Sequence, residues 1–289
     1  MTSASAVRHL SGWAAAGLHA ALGPARDASC GILVYHRVSP VVPGLPAPTL
    51  NVTPARFAAQ IAGLQKRGWT VVSLADLVAD RARAPRRVAV TFDDIYGSVP
   101  DAAIPILRAH GVPATVFVAS AFVDAEAPFP FDDWATAHRD ALSPEAYRPA
   151  TLAQLRALAA DPLVTIGAHT HTHADFSGRP DAFAADLAVN LRWLRDALGV
   201  ERPPLAFPYG RTAFGFAGGT LTEAALAQGI DVTVTTDGSP LVSGSAPVDW
   251  PRITAYDEDS ARTLDAKLAG RFAWTLRLAE RAGLALSRR

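Results

Sequence analysis

The run Val90-Thr91-Phe92-Asp93-Asp94-Ile95 carries an apolar, strand-like stretch straight into two adjacent carboxylates. A second apolar run, 163–168, ends in His169-Thr170-His171-Thr172-His173. Carboxylates at the end of one strand and imidazoles at the end of another supply the donors of an oxygen-and-nitrogen metal site, provided those strands lie side by side. A cation held by three such ligands keeps a coordination position open, lowers the pKa of water towards neutrality and supports hydrolysis. Adjacent acids also serve as caps and turn residues, and neighbouring histidines can form a plain polar turn. The two clusters together, rather than either alone, mark a candidate metal hydrolase.

Backbone shape decides which histidines can act together. In an extended chain 169, 171 and 173 all point one way, whereas in a helical turn 169 and 173 share a face and 171 leaves it. A turn after the strand therefore favours His169 and His173 as the pair that acts together.

Strand-like and helix-like segments alternate along the chain. Strand patterns fall at 31–36, 70–73, 87–92, 114–119, 163–168, 205–207, 232–235 and 250–254. Helix patterns fall at 57–66, 74–79, 102–110, 151–160, 181–198, 221–228 and 260–286, with Gly111 ending one and Thr151 the expected N-cap of another. This order implies a parallel sheet with helices outside, and seven or eight units imply closure into a barrel. The C-terminal strand ends of such barrels share one face. His36, Asp93, Asp94, His169, His173 and Pro208-Tyr209 all lie at or just beyond strand ends, so they are expected in one mouth. The irregular stretch 120–150, with Phe122, Phe129, Phe131 and Trp134, reads as a long functional loop.

The remaining bounds agree with this reading. Apolar residues make up 49% of the chain and charged ones 19%, enough to bury a large core and against disorder. Lys plus Arg balance Asp plus Glu at 27 each, so no net field draws in nucleic acid, and a neutral substrate fits better. The single Cys30 gives neither an internal disulfide nor a cysteine metal cluster. One domain is expected over 30–255, flanked by an amphipathic helical extension over 1–29 and a C-terminal helix over 256–289. Gly12, Gly17 and His19 interrupt the apolar stretch that would otherwise read as a signal peptide, and the chain is expected in the cytoplasm. Contact of its terminal amphipathic helices with a membrane surface is the sharper reading of those extensions; export and oligomeric state stay open.

Residues 88–120, the cluster at 169–173 and Phe207-Pro208-Tyr209-Gly210 together resemble the polysaccharide deacetylase family, also called the chitooligosaccharide deacetylase homology domain. The likeness spans roughly residues 30 to 255. It implies a distorted (β/α) barrel of about seven parallel strands, binding one divalent metal and removing acetyl groups from N-acetylated sugars. It further implies that Asp93 is the base and Asp94, His169 and His173 the ligands. Zinc is the default ion, with cobalt, nickel, iron and manganese open on ligand type alone. Tyr209 corresponds to the residue whose backbone N–H, beside the cation, stabilises the oxyanion.

Three departures qualify the resemblance. Ile95 stands where the family has glycine, which calls for a different local backbone and a tighter approach to Asp93. Ala206 replaces the arginine that orients the base; Arg252, in Trp250-Pro251-Arg252-Ile253, resembles a segment that supplies it from another strand. No histidine follows His173, so the family's closing acid is absent, and His36 is the best remaining candidate to protonate the leaving amine. Trp134, Phe131, Asp132, Asp133 and Trp250 are candidates for a sugar-stacking wall. The expected substrate is an acetylated poly- or oligosaccharide or a glycan-biosynthesis intermediate. A non-sugar amide, an O-acetyl ester, and an inactive carbohydrate-binding relative are the alternatives.

Overall fold

The computed structural model describes residues 16–17, 30–48, 50–80, 86–242 and 244–271. Expectations for the N-terminal helix, apart from residues 16–17, and for the chain beyond 271 lie outside the described residues.

The strands, in chain order, are β1 Gly31–Tyr35, β2 Arg37–Val38, β3 Asn51–Val52, β4 Thr70–Val71, β5 Arg87–Phe92, β6 Ala114–Val118, β7 Val164–Ala168, β8 Leu205–Ala206, β9 Thr233–Thr235, β10 Trp250–Pro251 and β11 Ile253–Thr254. Eight of them form a parallel path in the order β10-β9-β8-β7-β6-β5-β1-β11, and β4 pairs with β5 beside it. The two ends of this path belong to one extended segment. β10 aligns Trp250 with Val234, β11 aligns Ile253 with Leu33, and Arg252 sits between them. A single stretch of chain thus spans the remaining gap and nearly closes the distorted barrel. The expectation of one last strand over 250–254 is met by these two short pieces.

Alternation along the strands sorts side chains into two layers. Leu33 and Tyr35 of β1, Val88, Val90 and Phe92 of β5, and Val116 and Val118 of β6 join one large core with helix residues such as Phe57, Ile61 and Leu187. Ile32, Ala89, Phe117, Ala206, Val234 and Trp250 form the second, inner cluster. The inner row of β5 runs from Ala89 through Thr91 to Asp93, and that of β7 from Thr165 through Gly167 to His169. Two inward rows therefore deliver a carboxylate and an imidazole to the same mouth. At Gly167 an added Cβ would come within 2.4 and 2.6 Å of the Phe117 ring, so glycine makes room for the ring that fills the barrel beneath the site.

Among the outer helices, Pro54–Lys66 packs on β1 and β5 through Phe57, and Pro180–Leu198 covers β7 with Phe183, Leu187 and Leu194 buried. Thr151 caps the helix Leu152–Ala159 in a capping box with Gln154, as expected. The helix expected over 102–110 instead begins with a π turn, Val99–Ala103, and continues as Ile104–Ala109. The β2–β3 ladder has no alternating pattern long enough to be read from sequence; it is held by the Asn51 side chain, which accepts from the Ser39 N–H at 3.0 Å and donates to the Ser39 carbonyl at 2.9 Å. Among the described residues no helix is long and apolar enough to cross a membrane.

Candidate metal centre at the barrel mouth

Asp93 leaves β5 pointing inward, where Arg252 meets it from the break between β10 and β11. Arg252 Nη1 and Nη2 each donate to one Asp93 carboxylate oxygen at 2.6 Å. Nη1 also donates to Thr91 Oγ1 at 3.1 Å, and Nε to the Thr235 carbonyl at 3.0 Å. The guanidinium is fully buried and is 5.3 Å from the Phe117 ring centroid. Burial pushes the Asp93 carboxyl up, but Arg252, then His169 and His36, outweigh it and hold it below the usual carboxylate range. The guanidinium that meets Asp93 thus comes from the β10–β11 segment, not from β8, where Ala206 lies. A planar fork suits a carboxylate in a way an ammonium does not.

Asp94 turns the other way. Its Oδ1 lies 3.3 Å from His169 Nε2 and 3.3 Å from His173 Nε2. One ligand atom from each of the three residues falls within 4.8 Å of the others, and all three are buried. The His169 Nδ1–H donates to the Ala206 carbonyl at 2.7 Å, which fixes the neutral tautomer with the Nε2 lone pair facing Asp94. Asp94 Oδ1 is buried and accepts no hydrogen bond. A carboxylate oxygen facing imidazole lone pairs is a repulsive arrangement until a positive charge lies between them. A divalent cation fits this donor set.

The local pKa shifts express the same demand. Burial lowers His169, yet the Asp93 and Asp94 carboxylates outweigh it and its pKa is raised; a proton there takes the part of a cation. For His173 burial wins over Asp94, and its pKa falls to about 4. Burial raises Asp94, and the neighbouring His169, His173 and His36 imidazoles outweigh it and carry it well below the usual range.

The backbone here is strained. Of the eight non-glycine residues with positive φ among the described residues, Asp94, Ile95, Thr170, His173 and Tyr209 lie in this site. Each such residue costs roughly 1–2 kcal/mol in that region, and such outliers concentrate at functional sites. The expectation that Ile95 calls for a different backbone is corrected: at φ 62° it keeps the left-handed conformation that suits glycine, and its side chain is buried in the core. The histidine segment is not a helical turn either. Left-handed residues at Thr170 (φ 63°) and His173 (φ 53°), with the His173 N–H donating to Thr170 Oγ1 at 3.2 Å, bring the outer histidines together. His171 leaves this pair, and its Nδ1 is 3.0 Å from Ser120 Oγ.

His36 and Tyr209 complete the mouth. The half-buried His36 senses Asp94, Asp93 and Arg252; burial lowers its pKa, and its buried Nδ1 makes no hydrogen bond. Tyr209 follows β8 with φ 61°; its carbonyl accepts from Thr236 Oγ1 at 2.7 Å, and the Gly210 N–H donates to the Pro208 carbonyl at 2.6 Å. Its ring centroid lies 4.9 Å from that of His173.

The residues expected to form a sugar-stacking wall have different surroundings. Phe131 stacks on His173 with centroids 3.9 Å apart. Trp250 is instead a buried member of the inner barrel core, its Nε1–H donating to Ser245 Oγ at 3.1 Å. Asp132 is 7% exposed and is committed to Arg37, to the Tyr96 hydroxyl at 3.0 Å and to the Ala135 N–H at 3.0 Å, so it is not free to meet a sugar hydroxyl. Trp134 lies 5.1 Å from the Arg37 guanidinium and donates to the Pro46 carbonyl. Two contributors had no sequence signal. Asp186 and Asn190 lie on the helix Pro180–Leu198, and only the folded arrangement brings them against the histidine turn.

The parallel barrel brings an aspartate pair and two imidazoles together at its C-terminal strand ends. The family model described as Polysaccharide deacetylase matches residues 80–228, and the chain belongs to that family. Among solved structures it is similar to IcaB from Ammonifex degensii, at 25% identity and TM-score 0.67, over 84% of this chain and 98% of that one. The fold is shared with the Streptococcus pyogenes deacetylase PplD in complex with acetate, at 20% identity and TM-score 0.67 over 85% and 99% of the two chains. A de-N-acetylase from Aggregatibacter actinomycetemcomitans aligns at 18% identity and TM-score 0.66, over 82% and 99%. No curated protein matches the chain.

Proposed function

We propose that this protein is a divalent-metal-dependent carbohydrate deacetylase that hydrolyses the N-acetyl amide of an acetylated sugar. The observation that carries the reading is the convergence of Asp94, His169 and His173 beside an Asp93 that stays off the cluster and is held by Arg252. Membership of the polysaccharide deacetylase family supports carbohydrate deacetylation as the reaction class.

Asp94 Oδ1, His169 Nε2 and His173 Nε2 would hold the cation. When bound, it supplies Lewis-acid polarisation and lowers the pKa of water towards neutrality. Asp93, kept ionised by Arg252, accepts the proton of the water that attacks the acetyl carbonyl. The Tyr209 backbone N–H is assigned to the oxyanion, and its strained turn fixes the direction of that donor. The departing amine then needs a proton. His36, an imidazole of the mouth outside the ligand pair, is assigned as the donor of that proton.

The test is acetate release from matched N-acetylated and O-acetylated oligosaccharides, with metal content measured on the same protein. Release from the N-acetylated substrate by zinc-loaded protein, abolished by chelation and restored by metal, is the expected result. Metal without release from either sugar would favour a non-sugar acyl substrate, and release unaffected by complete metal removal would overturn the proposal.

A further inference from the structure

The five residues 169–173 carry both imidazole ligands, yet two of them sit in left-handed backbone. Such a turn persists only where its surroundings hold it. Asp186, on the helix Pro180–Leu198, does most of that holding. Its Oδ1 accepts the His171 N–H at 2.5 Å and the Thr172 N–H at 3.1 Å, and its Oδ2 accepts the Thr172 hydroxyl at 2.5 Å. Four residues on, Asn190 faces the same way. It donates to the Val118 carbonyl at 3.0 Å and to Ser120 Oγ at 2.8 Å, while Ser120 Oγ meets His171 Nδ1 at 3.0 Å. One helix face thus grips the turn twice, by its backbone amides and by the ring of its middle histidine.

We infer that Asp186 is a positioning residue for the metal centre: its carboxylate fixes the backbone of 171–172 so that His169 and His173 present Nε2 to one cation with Asp94. The inference rests on the metal-centre reading above. Asp186 touches neither ligand ring, so it acts through the peptide groups between them. Two N–H groups and a hydroxyl converge on one charged acceptor, an arrangement that an ionised carboxylate holds more strongly than a neutral acceptor. Asparagine can still accept both amides through its single carbonyl oxygen but cannot accept at the second oxygen. Alanine can do neither.

Zinc affinity by chelator competition and the visible spectrum of the cobalt-loaded protein, both taken well below the melting temperature of each variant, test this apart from turnover. Asp186→Ala is expected to weaken zinc binding about 10- to 100-fold, to alter the cobalt spectrum and to lower kcat with KM little changed. Asp186→Asn should recover most of the affinity. Wild-type zinc affinity and cobalt spectrum in a folded Asp186→Ala, with only a lower melting temperature, would overturn the inference. Failure of the wild-type chain itself to bind zinc would instead overturn the metal-centre reading on which it rests.

Discussion

Arg252 grips Asp93 with two hydrogen bonds of 2.6 Å each, from the point where the last strand leaves β9 and joins β1. The segment that bridges the barrel's gap is therefore also the segment that holds Asp93, the proposed base, below the usual carboxylate range.

Removing the guanidinium leaves a buried carboxylate without its partner. Arg252→Met should destabilise the fold by about 3–5 kcal/mol, read by denaturant unfolding. The folded Asp93 pKa is depressed, so its stabilising contribution is full above the unfolded value of about 3.9 and is lost as pH falls through the folded value. Without Arg252 that depression disappears and the acid limb of kcat/KM moves to higher pH. An unchanged pH profile would show that the pair does not control the base.

Asp93→Asn keeps the three ligands and removes the proton acceptor. Turnover should fall by about 10²- to 10⁴-fold while zinc content stays near that of the wild type. Some stability is also lost, because Arg252 then faces a neutral group. Loss of zinc in step with activity would place Asp93 among the ligands instead.

His36→Ala should slow turnover by a factor of about 10² or more and spare zinc affinity. The comparison that matters is between substrates with good and poor leaving groups. An activated O-acetyl ester such as an aryl acetate releases a phenolate that needs little protonation and should be affected far less than an amine-releasing amide. Equal rates for wild type and variant on the amide would remove His36 from the mechanism.

Gly167→Ala places a methyl group within 2.4 Å of Phe117 in the ring-filled barrel interior. The overpacking should cost about 1–3 kcal/mol, and Phe117→Leu in the same chain should recover part of it. A melting temperature unchanged by Gly167→Ala alone would mean that the interior yields more easily than its packing implies.

Much of this was legible in the sequence because strand periodicity is local. The run 87–92 coincides with β5, and a period of two carries Ala89 and Thr91 on to an inward Asp93. His169 follows from β7 in the same way. Arg252 was legible only through its resemblance to a family segment, since nothing local says that it reaches Asp93. The turn at 169–173 misled in shape though not in outcome: two left-handed residues, rather than a helical turn, separate His171 from the outer pair. Asp132 and Trp250 show the opposite failure. Their residue types suit sugar binding, but pairing of Asp132 with Arg37 and burial of Trp250 in the barrel are tertiary facts that the local sequence does not encode. Asp186 was invisible for the same reason, being an ordinary helix acid until the histidine turn folds against it.

The most direct test is the zinc content per chain after metal loading and exhaustive dialysis, measured by mass spectrometry on the wild type and on a folded Asp94→Ala/His169→Ala/His173→Ala variant. One zinc per wild-type chain and none on the variant is the predicted result. A wild-type chain that retains no zinc, or a triple variant that retains a full equivalent, would contradict the account.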